Sequence, residues 1–280
     1  MSDERSEHGS RAAGPRRVTV DIDNGVADVR LNRADKLNAL DAAMFQALAE
    51  TGTGLASESS LRAVVLSGEG RGFCAGLDVG SLGSLGKNGG AGPKLLERPD
   101  GRIATHAQLA AHVWSELPVP VIAAIHGVTF GGGLQIALAA DIRLVTPDAR
   151  LSVMEIKWGL IPDMTGSQTL RRLVRLDVAK ELTFTGRIVT GMEAVELGLA
   201  TRVSDDPRAA ALEMARGIAD RSPDAIRAAK RLLDESALVD LETGLRLEAE
   251  LQAALIGGAN QIETVKANLE QRAPNFRDPE

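Results

Sequence analysis

Twice along this chain a short run of aliphatic and β-branched residues empties into a glycine-bearing turn, and this pattern restricts the fold more than any other feature. Residues 61–66 lead to Gly72-Phe73-Cys74-Ala75-Gly76-Leu77-Asp78. Residues 119–125 lead to His126-Gly127-Val128-Thr129-Phe130-Gly131-Gly132-Gly133-Leu134-Gln135. The second turn opens an alanine- and leucine-rich stretch, 134–140, that reads as a helix. Glycine at a strand exit lets backbone N–H groups point outward with no Cβ in the way. A helix N-terminus adds unpaired donors and the positive end of the peptide dipoles. Two such turns can each give one donor to a single developing oxyanion. Either turn alone reads equally well as an ordinary tight connection.

The neighbouring segments extend the alternation of strand and helix. Residues 18–22 and 26–31 flank Asp23-Asn24-Gly25, a hairpin turn. Residues 41–56 read as a helix with Asp41 near its N-cap, and 141–145 as a further strand. Repeated strand–helix passages favour a right-handed parallel arrangement, so the fold class is α/β. From about Ser167 onward helices dominate, with amphipathic stretches at 207–219, 223–233 and 241–255.

Composition removes several function classes. A net charge of −6 argues against general nucleic-acid binding. The single cysteine, Cys74, excludes an internal disulfide and a cysteine-based zinc site, and fits a reducing cytoplasm. No apolar run reaches membrane-span length. No G-x-x-x-x-G-K-[ST] and no G-x-G-x-x-G occurs, so a nucleotide-phosphate cradle lacks support. Residues 1–16 read as a disordered tail, and the glycine- and serine-rich stretch 80–101 as a mobile insertion beside the first turn, most of all over 83–92.

The two turns, in this order, resemble those of the crotonase (enoyl-CoA hydratase/isomerase) superfamily. Asn32-Arg33-Ala34-Asp35-Lys36-Leu37-Asn38-Ala39-Leu40 is similar to the family's N-terminal signature, and the Gly159-Leu160-Ile161-Pro162 and Leu182-Thr183-Phe184-Thr185-Gly186-Arg187 segments follow in family order. The resemblance runs over roughly residues 17–277. It implies a crotonase-like ββα spiral core over 17–205 and a C-terminal helical trimerisation region over 206–280. It also implies an acyl-CoA thioester as substrate, a homotrimer or a hexamer of paired trimers, and no cofactor beyond the coenzyme A of the substrate. No metal is implied.

The resemblance places the oxyanion donors at the backbone N–H groups of Leu77 and Gly132. It places substrate contacts at Lys36, Ala39, Ala75, Gly76, Asp78, Gln135 and Trp158, and CoA-phosphate contacts at Arg272 and Arg277. Hydratases of the family carry two glutamates. The second is retained as Glu155, but Gln135 stands at the position of the first. An amide has no proton to give near neutral pH and can only orient water. Asp163 lies eight residues beyond Glu155, and this pairing resembles dienoyl-CoA isomerases of the superfamily. Those enzymes also carry an aspartate at the Gln135 position, which this chain lacks. From position alone Asp163 also reads as a helix N-cap, and Trp158 as a core residue. The family basic residue after the first turn is absent, since Val79-Gly80 follows Asp78. His106, His112 and His126 read as structural or solvated. Three functions stay open: an isomerase using Glu155 and Asp163, a hydratase using Glu155 with a water held by Gln135, and a non-catalytic acyl-CoA-binding protein.

Overall fold

The computed structural model describes residues 16–78, 80 and 91–279. The disordered tail expected over 1–16 falls almost wholly outside these residues, as does most of the mobile segment expected over 83–92.

The chain enters the fold through a hairpin. Strands β1 (Val18–Asp23) and β2 (Val26–Leu31) pair antiparallel, with Asp23 opposite Val26. Asn24 and Gly25 both have positive φ, 49° and 78°, as a two-residue turn matching the strand twist requires. From β2 onward the sheet is parallel: β3 (Ala63–Gly68), β4 (Val121–Ile125), β6 (Ile142–Val145) and β9 (Arg202–Val203) follow in that spatial order. Helix α1 (Ala42–Ala56) lies between β2 and β3 in the chain, and its cap is as expected: the Asp41 side chain accepts from Met44 N at 2.8 Å.

Both faces of this sheet are covered, and the strands divide their residues by parity. Val64 and Leu66 of β3 join the larger core, whereas Ala63 and Val65 pack with Ile122, Ala124 and two alanines of the helix Pro207–Ala219. A smaller sheet of β5 (Val128–Phe130), β7 (Arg150–Ser152) and β8 (Val189–Thr190) lies beside the first. Strands β3 and β4 each begin two residues later than the apolar runs at 61 and 119. Leu61 and Val119 are buried but precede the ladder.

Candidate active site

The two glycine turns are stitched together by backbone. Isolated bridges pair Gly72 with Gly127, Cys74 with Thr129 and Leu40 with Leu77. In the last of these, Leu40 N donates to Gly76 O and Asp78 N donates to Leu40 O, so the Leu77 N–H is turned away from its neighbour. A side chain on Gly76 would put its Cβ 2.5 Å from Phe130 O and 3.5 Å from Gly132 N. On Gly133 it would stand 2.4 Å from Cys74 O. Only glycine permits this approach. Gly131, at φ 53°, turns the chain into the helix Gly132–Leu138, which starts two residues earlier than the leucine pattern suggests and makes Gly132 its first residue. Among the described residues neither Leu77 N–H nor Gly132 N–H donates a hydrogen bond.

Asn38 braces the first turn from below. Its fully buried amide donates to Glu69 O and Gly72 O at 2.9 Å and to Phe73 O at 3.1 Å, and accepts from Arg33 N at 2.8 Å. In the sequence Asn38 stands out only as part of the 32–40 motif; a polar residue between Leu37 and Ala39 is its one local signal.

A cavity of about 760 Å³ opens beside the turns. Leu77 and Gly132 line it, and so do Glu155 and Asp163, so four residues drawn from distant parts of the chain meet in one space. Ala75, Gly76, Gln135 and Trp158 also reach it. Its remaining wall is mostly apolar, with Leu95 and Leu96 contributed by the helix Ala91–Leu96.

Glu155 sits in a 3-10 turn, Glu155–Trp158, that Gly159 closes at φ 68°. Its Oε1 accepts from Gln135 Nε2 at 2.6 Å, and its Oε2 is buried with no partner among the described residues. Burial raises its pKa above the ordinary 4.5; its own N–H and the Gln135 amide oppose this, and the charge of Asp163 adds to it. Burial likewise raises Asp163. The N-cap expected at Asp163 is not formed. The following helix starts at Gly166, and Thr165, at φ 71°, occupies the cap position. Asp163 lies two residues before that cap position, partly exposed on the cavity wall.

Other expected contacts lie elsewhere. Lys36 is exposed on a short 3-10 turn and Ala39 is buried, and neither is among the residues lining the cavity. Asp78 is paired with Arg33 Nη1 at 2.7 Å. Arg272 is held by Glu263 at 2.6 Å and Glu270 at 2.7 Å. Arg277 is tied to Asn260 through its backbone, and its side chain lies exposed in the C-terminal segment. Trp158, read from sequence as core or pocket wall, is 46% exposed on the cavity side, with Lys157 Nζ 5.6 Å from its ring centre. Lys157 also lines the cavity and was not foreseen.

The family model described as enoyl-CoA hydratase/isomerase matches residues 21–279. The chain belongs to that family. Mitochondrial methylglutaconyl-CoA hydratase of Mus musculus is 32% identical over 260 residues, which is 90% of this chain and 80% of the relative. The peroxisomal Δ(3,5)-Δ(2,4)-dienoyl-CoA isomerase of Arabidopsis thaliana is 32% identical over 268 residues, 92% of this chain and 95% of the relative. Among solved structures, an enoyl-CoA hydratase of Bacillus anthracis superposes with a TM-score of 0.85 at 32% identity, covering 93% of this chain and 98% of that one. The α/β architecture is therefore the crotonase fold, and the chain is an enzyme of the hydratase/isomerase family. Among the described residues no helix is long and apolar enough to cross a membrane.

Proposed function

We propose that this enzyme moves a proton along the acyl chain of an enoyl- or dienoyl-CoA thioester. One carboxylate of the Glu155–Asp163 pair removes a proton from the carbon next to the thioester carbonyl. The electron pair passes into the carbonyl, and the Leu77 and Gly132 N–H groups meet the resulting oxyanion. The other carboxyl group, protonated at the start, delivers its proton to a more distant carbon as the electrons return. One proton leaves carbon and one arrives, so the product is an isomer. The observation that carries this reading is a pair of carboxylates in one largely apolar cavity, with Glu155 Oε2 buried and unpartnered among the described residues.

Hydration is the second reading, and the likeness to a methylglutaconyl-CoA hydratase favours it. There Glu155 alone would take the proton of the attacking water. Two absorbance assays separate the readings. A 3,5-dienoyl-CoA gains near-ultraviolet absorbance as its diene comes into conjugation with the carbonyl, and a 2-enoyl-CoA loses absorbance on hydration. Absence of any turnover, with CoA ligands still bound, would support a binding protein instead.

Coenzyme A enters within the substrate, and the reading calls for no metal or redox group. Lys36 and Arg277 are proposed for its phosphates, while Arg272 is engaged by two glutamates. Assembly as a trimer or hexamer is supported by apolar side chains left exposed on the C-terminal helices, Leu241 at 78% and Leu269 at 80% among them. A cytoplasmic location fits the unpaired Cys74.

A further inference from the structure

We propose that Gln135 is a positioning residue whose single amide latches the Asp163 turn to Glu155 and so sets the span between the two acid–base groups. This rests on the proton-shift reading above. Gln135 Nε2 donates to Glu155 Oε1 at 2.6 Å, while its Oε1 accepts from Met164 N at 2.7 Å and from Gly166 N at 2.9 Å. The amide can sit only one way round: two backbone donors need an acceptor, and a carboxylate needs a donor. The side chain is 3% exposed, so these bonds have no competition from bulk water.

The surroundings are shaped for the latch. A Cβ on Gly166 would stand 2.6 Å from Gln135 Oε1, so glycine there keeps the acceptor within reach. Thr165, between the two latched N–H groups, holds a left-handed φ of 71°, which a bulky residue adopts only when its neighbours over-determine it. Asp163 immediately precedes the first latched residue, Met164, so its backbone cannot drift while Gln135 holds. A glutamate at position 135 could accept the same two N–H groups. Its other oxygen would then meet Glu155 as a second carboxylate, and the pair could keep the bond only by sharing one proton. The amide gives the same geometry without that condition.

Two variants of the full chain test the latch, Gln135→Met and Gln135→Glu. The ionisable groups on the cavity wall are Glu155, Asp163 and Lys157 among the described residues, so a pH profile reads few candidates. With isomerisation as the readout, Gln135→Met is expected to lower kcat by about 10²-fold, the scale of a small misplacement of reacting groups, with KM near wild type. The limb of its profile set by Glu155, acid if Glu155 is the base and alkaline if it is the acid, should move to higher pH, because Glu155 has lost the donor that held its pKa down. Gln135→Glu is expected to recover most of the loss on the acid side, where the shared proton restores the bond, and to fail on the alkaline side. A Gln135→Met enzyme with unchanged kcat and limb overturns the proposal. So does one in which kcat falls with thermal stability while the limb stays put. Titration of the ¹³C-labelled glutamates by NMR needs no turnover. A Glu155 pKa that does not rise in Gln135→Met overturns the latch, whereas a risen pKa in a protein with no isomerase activity overturns only the proton-shift reading.

Discussion

The turn that carries Leu77 and the turn that carries Asp163 face the same cavity but are held by different means. The first is fixed mainly by backbone, through three bridges and glycines at 76 and 133 that admit no side chain, and the buried Asn38 amide braces it further. The second is fixed by one side-chain amide and a left-handed threonine. A turn held by backbone tolerates change in what its side chains are and resists any added Cβ. A turn held by a side chain behaves the opposite way. The stabilising half of the proposed chemistry therefore rests on the first kind of turn, and the proton-moving half on the second.

The largest expected effect attacks the proton-moving half. Glu155→Gln and Asp163→Asn keep shape and remove the titrating group, and each should lower isomerase turnover by about 10²- to 10⁴-fold. If only Glu155→Gln matters, the second turn is structural and hydration becomes the better reading. Next comes Gly132→Pro. Proline is accepted at the first residue of a helix, and a Cβ there would displace only the movable ends of Leu40 and Met164, each 2.9 Å away, so the donor is lost with the helix start kept. Turnover should fall by roughly 10²- to 10³-fold. Wild-type turnover in a folded Gly132→Pro enzyme would remove the backbone donor from the mechanism. The matching control, Leu77→Ala, leaves the N–H in place and should change turnover only slightly. A loss as deep as that of Gly132→Pro would break the distinction between the two turns.

The smallest effect is on stability. Glu155 has a folded pKa raised above 4.5, so the folded chain holds that proton more tightly than the unfolded chain. The stabilisation this gives is complete below the unfolded value and is lost as pH rises through the folded one. Glu155→Gln does not titrate. Its Tm relative to wild type should therefore climb between acid and neutral pH, and a constant difference across that range would show that Glu155 pays no desolvation cost.

Much of the first turn could be read from the chain because its requirements are local: glycines at set spacing after an apolar run announce a backbone that needs room. The Asp41 cap was legible for the same reason. The second turn was not. Its latch joins residues 20 to 31 positions apart, and nothing in the neighbourhood of Gln135 indicates which N–H groups its amide will reach. Asp163 was open to a cap reading because aspartate is a favoured N-cap just before a helix; the structure delays that helix to Gly166. Strands β5, β7 and β8, of three, three and two residues, are too short for any alternation to show.

Cys74 gives the first turn a clock. It is the only cysteine in the chain, its Sγ donates to Asn38 O at 3.1 Å, and burial pushes its thiol up to about 12. At neutral pH almost none of it is thiolate, and alkylating reagents attack the thiolate. Labelling must wait until the turn opens to water, so its rate, set against that of a free thiol, measures how often the strand-to-turn junction comes apart. A ligand that grips the Leu77 N–H would slow that clock without touching the sulfur.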